Sequence, residues 1–157
     1  MLKAAGSIIL IICSAFAGKL AADKLSARIK NVGVLLYFIK EIRERITVFR
    51  MPFDDILKEL GDDAALPSAF IADAKDNIYN SAANNDLLTG DEEDAVIKQF
   101  SEKLGEDGTD VSLALCESCE RRLEALLEKL KKEYPEKKRL CSTISVLAGV
   151  SVVIMII

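Results

Sequence analysis

The chain has 157 residues, of which 50% are hydrophobic and 29% charged, with a net charge of −4 and no histidine. Without histidine no Ser/His/Asp or Cys/His nucleophile can assemble and the commonest general base is missing, so the chain reads as a non-enzyme. Its length allows one compact domain with a modest core, not two.

Residues 4–17 carry no charge (AAGSIILIICSAFA), and residues 141–157 carry none either (CSTISVLAGVSVVIMII). Crossing ~30 Å of hydrocarbon takes roughly 17–25 helical residues. The first run reaches that length by extending to Ala22 with Lys19 snorkelling to the interface. The expected organisation is a transmembrane helix over 1–22, a helical domain over 23–140 and a transmembrane helix over 141–157. Lys19, Lys24, Arg28 and Lys30 follow the first run, and Lys131, Lys132, Lys137, Lys138 and Arg139 precede the second. Basic flanks of this kind favour the cytoplasmic side and attract anionic lipid head groups.

A second reading treats the N-terminus as a cleaved secretory signal, with Lys3 as its n-region and Ala15-Phe16-Ala17 as an A-x-A cleavage site. The product would be a secreted helical domain anchored at its C-terminus. That places Lys137-Lys138-Arg139 on the wrong side of the last span. A lipoprotein reading of Cys13 meets Ile12 where a small residue is expected.

The middle of the chain predicts helix throughout. Leu25, Ile29, Val32, Leu36, Ile39, Ile42, Ile46 and Phe49 recur at steps of three and four, one stripe on an α-helix. Pro52 suits the first turn of a short helix to Leu60, closed by Gly61. Pro67 opens another, with Phe70, Ile71, Ala74, Ile78 and Ala82 as its buried face, broken at Asn84-Asn85-Asp86. Asp91 to Asp94 suit the positive end of a helix carrying Val96, Ile97, Phe100 and Leu104 and ending at Gly105. Asp110 starts a long helix with Cys116, Cys119, Leu123, Leu126, Leu130 and Tyr134 in register. Nothing alternates with period two for long enough to form a strand. The expected fold is all-α: an antiparallel bundle of five or so helices, flanked by N- and C-terminal transmembrane helices.

Cys116-Glu-Ser-Cys119 has the spacing of a zinc or thiol-exchange pair. A structural zinc needs four ligands, however, and both thiols fall on the apolar stripe, where cysteine packs as a small hydrophobe. Packing is the favoured reading; metal or redox chemistry is the alternative. Residues 51–120 hold four basic and eighteen acidic side chains, a balance that excludes nucleic acid. The acidic groups are Asp62-Asp63, Asp91 to Asp94, and Glu106, Asp107 and Asp110. None has the spacing of a calcium loop, so helix capping or docking of a basic partner accounts for them. The candidate partner-binding residues are Asp62, Asp63, Asp91, Glu92, Glu93 and Asp94. No Gly-rich loop precedes the single Gly18-Lys19 pair, so there is no P-loop, and no cofactor is expected.

The order of these blocks resembles the stage III sporulation protein AB family of endospore-forming bacteria. The resemblance lies in Met1-Leu2-Lys3, a short apolar run, and Ala22-Asp23-Lys24-Leu25-Ser26-Ala27-Arg28. It continues through the amphipathic helix to Arg50-Met51-Pro52-Phe53-Asp54-Asp55-Ile56-Leu57, then Phe100-x-x-x-Leu104-Gly105 with Asp110. Two features depart from the family pattern. Ser112, Leu113 and Leu115 stand where a Gln is usual, and only Gly149 remains of the Gly steps entering the last run. The resemblance implies a soluble part similar to the cytoplasmic helical domain of the inner-membrane platform protein of type II secretion. It implies a place in a channel-like complex between mother cell and forespore, in the outer forespore membrane, with the domain in the mother-cell cytoplasm. The implied partners are the cytosolic ATPase of the same system, stage III sporulation protein AA, and other membrane proteins of the complex.

Overall fold

The structure, a computed structural model, describes the backbone of residues 2–104 and 108–156. Side chains are described at Phe16, over 19–104 and 110–141, and at Thr143, Ile144, Leu147 and Ser151. Among the described residues there are six helices and no strand: α1 (Leu2–Phe49), α2 (Phe53–Leu60), α3 (Ser68–Ala74), α4 (Ile78–Asn84), α5 (Asp91–Lys103) and α6 (Gly108–Ile156). The chain divides into two compact units, one made of Met1–Ala27 with Lys129–Ile157, the other of Arg28–Glu128. Among the described residues no helix is long and apolar enough to cross a membrane. Most side chains of the expected spans 1–22 and 141–157 lie outside the described residues, as do Cys13, Gly105, Glu106 and Asp107.

The Arg28–Glu128 unit closes around the apolar stripe of α1. Val32, Leu35, Phe38, Ile39 and Ile42 are wholly buried, together with Ile56, Leu57 and Leu60 of α2, Phe70 of α3, Ile97 and Phe100 of α5, and Leu123 of α6. Phe38 meets Phe70 edge to face, with ring centroids 4.9 Å apart and planes at 72°. That geometry matches the quadrupoles of two aromatic rings. The buried arc of α1 is wider than the predicted stripe, because Leu35 and Phe38 are also covered. Phe49, the last residue of the stripe, is 65% exposed at the helix end, where nothing packs over it.

The helix predicted to run from Pro67 to Ala82 is two helices. Asn77 sits between them in extended backbone, and its side chain accepts a hydrogen bond from the Asn80 N–H at 2.9 Å. An Asn able to cap a new helix offers the backbone an alternative to continuing the old one. The predicted inward face survives the break: Phe70, Ile71, Ala74, Ile78 and Ala82 are all buried. The buried Ser81 hydroxyl donates to the Phe70 carbonyl at 2.6 Å and ties α4 back to α3.

The end of α4 is closed by backbone geometry. Asp86 takes a left-handed φ of 54°. Its N–H donates to the Ala83 carbonyl at 3.2 Å, and the Leu87 N–H donates to the Ala82 carbonyl at 2.9 Å. These are the two bonds of a Schellman cap, with buried Leu87 as its hydrophobic partner. Asn31 on α1 donates to the Asp86 carbonyl at 2.8 Å, which fixes the cap against the central helix.

α6 continues through Pro135 without ending. The proline removes one N–H from the helical ladder, so the long helix has a local weak point there. In the unit formed by Met1–Ala27 and Lys129–Ile157, Ala22 and Leu130 are buried, whereas Phe16, Leu20, Leu140, Ile144 and Leu147 are 54–63% exposed.

Candidate partner-docking surface

The six candidate carboxylates do not share one role. Asp62 is exposed in the connection after α2. Asp63, beside it, is half-buried: its carboxylate accepts from the Tyr37 hydroxyl at 2.7 Å and from the Ala65 N–H at 2.8 Å. These two donors hold the Asp63 carboxyl below the usual carboxylate range. The same contact pushes the Tyr37 phenol up to about 12. Asp91 and Glu92 lie exposed in the first turn of α5, and Asp94 accepts from the Tyr79 hydroxyl at 3.0 Å.

Glu93 corrects the expectation of an outward-facing carboxylate. It is completely buried. Arg28 of α1 clasps it in two parallel bonds, Nε to Oε1 at 2.9 Å and Nη2 to Oε2 at 2.8 Å, and Thr89 donates to Oε1 at 3.2 Å. The pair is bidentate and charge-assisted, the strong form of such contacts. Gly90 makes room for it, since a Cβ there would collide with the Arg28 guanidinium. Glu93 therefore joins α5 to α1 and has no free face to offer a partner. Asp62, Asp91 and Glu92 remain as the exposed acidic groups, on two separate elements.

A feature that sequence reasoning missed lies between α1 and α6 within the Arg28–Glu128 unit. Lys40, Arg43, Glu44, Thr47 and Val48 face Leu113, Glu117 and Glu120 across a groove of about 590 Å³. Lys40 bridges Glu124 at 2.5 Å and Glu120 at 3.6 Å, and Arg43 reaches Glu120 Oε2 at 2.9 Å. That last contact is an ion pair by distance, but its N–H direction misses, so buried Oε2 accepts no hydrogen bond. The legible signal was a second stripe, basic at Lys40 and Arg43 and acidic at Glu117, Glu120 and Glu124, running at helical spacing beside the apolar one.

The Cys116 and Cys119 thiols are buried in the core. Burial, with Cys119 alongside, pushes the Cys116 thiol up to about 12, and burial raises Cys119 as well. A thiol held protonated is a poor nucleophile, and burial in the core fits cysteines that pack as small hydrophobes. Among the described residues no three metal-ligating side chains come together.

The family model described as stage III sporulation protein AB matches residues 3–157. The chain belongs to the stage III sporulation protein AB family. The family gives it a role in sporulation and covers both uncharged runs as well as the helical unit between them. No curated protein and no solved structure matches the chain. Arg28, the last residue of the Ala22–Arg28 block, has a structural reason in this chain as the partner of Glu93.

Proposed function

We propose that this member of the family is a non-enzymatic membrane platform in a secretion-like channel complex used in endospore formation. It is held in the outer forespore membrane by its uncharged runs, with the Arg28–Glu128 unit in the mother-cell cytoplasm docking the cytosolic ATPase, stage III sporulation protein AA. Three features support the membrane half of the reading: the uncharged stretches 4–17 and 141–157, the basic residues beside each, and the excess of acidic side chains in between. The observation that carries the docking half is the division of labour in the first turn of α5. Glu93 is drawn inward to Arg28 while Asp91 and Glu92 stay in water. Exposed charge of one sign mainly raises an association rate, and its effect is screened over ~8–10 Å at physiological salt.

The test reverses Asp62, Asp91 and Glu92 to Lys in the full chain and measures ATPase binding at two salt concentrations. Glu93, Asp63 and Asp94 stay untouched because Glu93 is buried against Arg28 and the other two accept from the Tyr37 and Tyr79 hydroxyls. Binding should weaken, most strongly at low salt; unchanged binding at both concentrations would sink the docking reading. A reporter fused at exposed Ala64 tests the topology. Activity of a reporter that works only outside the cytoplasm would overturn the platform and favour the secreted alternative.

A further inference from the structure

We infer that α6 carries a binding site for the head group of an anionic phospholipid at Tyr134, Pro135, Lys138, Arg139 and Thr143. The inference rests on the membrane reading above. These five residues line an open hollow of about 480 Å³ on the helix surface.

Three observations point to this ligand. First, the two cations at the hollow are available. Lys137 is turned aside to Glu133 at 2.6 Å, whereas neither Lys138 nor Arg139 forms an ion pair with another described residue. A lysine and an arginine at the very end of the charged sequence suit a phosphate oxygen. Arg supplies a planar fork and Lys a point charge. Second, Lys138 lies over the Tyr134 ring, its Nζ 5.7 Å from the centroid. Tyrosine, apolar in body and polar at its tip, settles where water meets hydrocarbon. Third, the apolar surface begins at once beyond the cations. Leu140, Ile144 and Leu147 follow at steps of four and three, each 57–61% exposed, and no charged residue occurs after Arg139.

A free phosphate would use the cations and leave the uncharged helix beyond them bare. A phospholipid uses both, its phosphate on Lys138 and Arg139 and its acyl chain along the helix that follows, which carries no charge on any face after Arg139. Thr143 does not serve as a donor, because its hydroxyl is given to the Arg139 carbonyl at 2.9 Å. Each Lys or Arg near an anionic surface contributes about a fivefold preference, so the two together should give roughly thirtyfold.

The experiment uses the full chain in detergent with added phosphatidylglycerol or phosphatidylcholine, counting retained lipids by native mass spectrometry. Phosphatidylglycerol should be retained roughly thirtyfold better. Lys138→Gln with Arg139→Gln should bring the two lipids close to parity at unchanged helicity. Lys137→Gln should leave most of the preference, and Arg139→Lys should recover part of what Arg139→Gln loses. Equal retention by the unaltered chain would overturn the site. Equal losses in Lys137→Gln and the double variant would also overturn it, in favour of diffuse charge. Displacement of phosphatidylglycerol by millimolar inorganic phosphate would show an anion site with no lipid specificity, and overturn it too. Alkaline extraction of the chain from vesicles separates the two readings. A chain that resists extraction but shows no lipid preference keeps the membrane reading and loses the site. An extracted chain that still prefers phosphatidylglycerol keeps the site and loses the spans.

Discussion

The two units treat the same kind of residue in opposite ways. In Arg28–Glu128, the apolar stripes of α1 and α6 are withdrawn from solvent except at the end of α1, where Phe49 is exposed, and Leu35, Phe38, Ile39 and Leu123 are at zero exposure. In the unit of Met1–Ala27 and Lys129–Ile157, the same two helices leave Phe16, Leu20, Leu140, Ile144 and Leu147 more than half open. Helical propensity cannot separate these cases, because the backbone is α-helical in both. What differs is whether neighbouring elements cover the stripe. The short helices α2 to α5 do so for the first unit, and the second is left with an apolar surface that water disfavours.

The largest effect should follow from opening the covered side. Phe38→Ala removes a fully buried ring and its contact with Phe70, and should cost ~3–5 kcal/mol in denaturant unfolding of the full chain. Ile144→Ala, on the exposed side, should stay within about 0.5 kcal/mol in the same measurement. Equal losses would erase the contrast between the units.

Glu93→Ala should come next. It strands the Arg28 guanidinium, and breaking a buried ion pair costs ~3–5 kcal/mol. The lower end is expected because the Arg28 side chain is 26% exposed. Glu92→Ala, one residue away in sequence and exposed, should cost ~1 kcal/mol at most. Gly90→Ala forces the Arg28 guanidinium to shift and should lose part of the same stability without changing any charge.

The buried thiol predicts a pH effect. Native Cys116, raised from a usual value of 9.0 to about 12, keeps its proton in a range where the unfolded chain has released it. The native state then binds more protons. This contribution is fully present below pH ~9 and is lost as pH rises toward ~12. Urea midpoints should therefore fall above pH 9, and fall less steeply in Cys116→Ala, itself weakened by roughly 1–3 kcal/mol at neutral pH. Parallel pH profiles would show that the thiol does not titrate in that window.

The smallest effect concerns the α4 cap. Asp86 pays for a left-handed φ of 54° that glycine adopts freely. Asp86→Gly should stabilise the chain by a few tenths of a kcal/mol, and by ~1 kcal/mol at most, after the extra entropy of unfolded glycine. A clear loss would mean that the Asp86 side chain contributes something beyond its backbone.

Much of this was legible in the sequence. The apolar steps from Val32 to Ile46 and from Cys116 to Leu130 named the buried faces correctly, because a helix packed on one side must repeat every three or four residues. The break at Asn77 was hidden, since its apolar neighbours kept a helical rhythm across it and only a local side-chain cap decided the outcome. Glu93 was misread because four consecutive acids look like one cap. Yet Glu93, Val96, Ile97 and Phe100 fall at positions i, i+3, i+4 and i+7, so the carboxylate stood on the buried stripe all along. Arg28 likewise precedes Val32 and Leu35 by four and seven. An opposite pair of charges, each in register with an apolar face, was the available signal, and pairing them required the fold. The groove beside Glu120 depends on two helices far apart in sequence, which no local pattern brings together.

The collision waiting at Gly90 has a consequence for genetics. A screen for variants that lose a binding partner would collect changes at positions 90 and 93 alongside any at 91 and 92, because an unfolded chain binds nothing. The hits would form one continuous run and suggest a single epitope. Only a parallel measure of protein abundance would split the run in two, with the outer positions 90 and 93 reporting on the contact between α1 and α5 and the inner positions 91 and 92 on the surface.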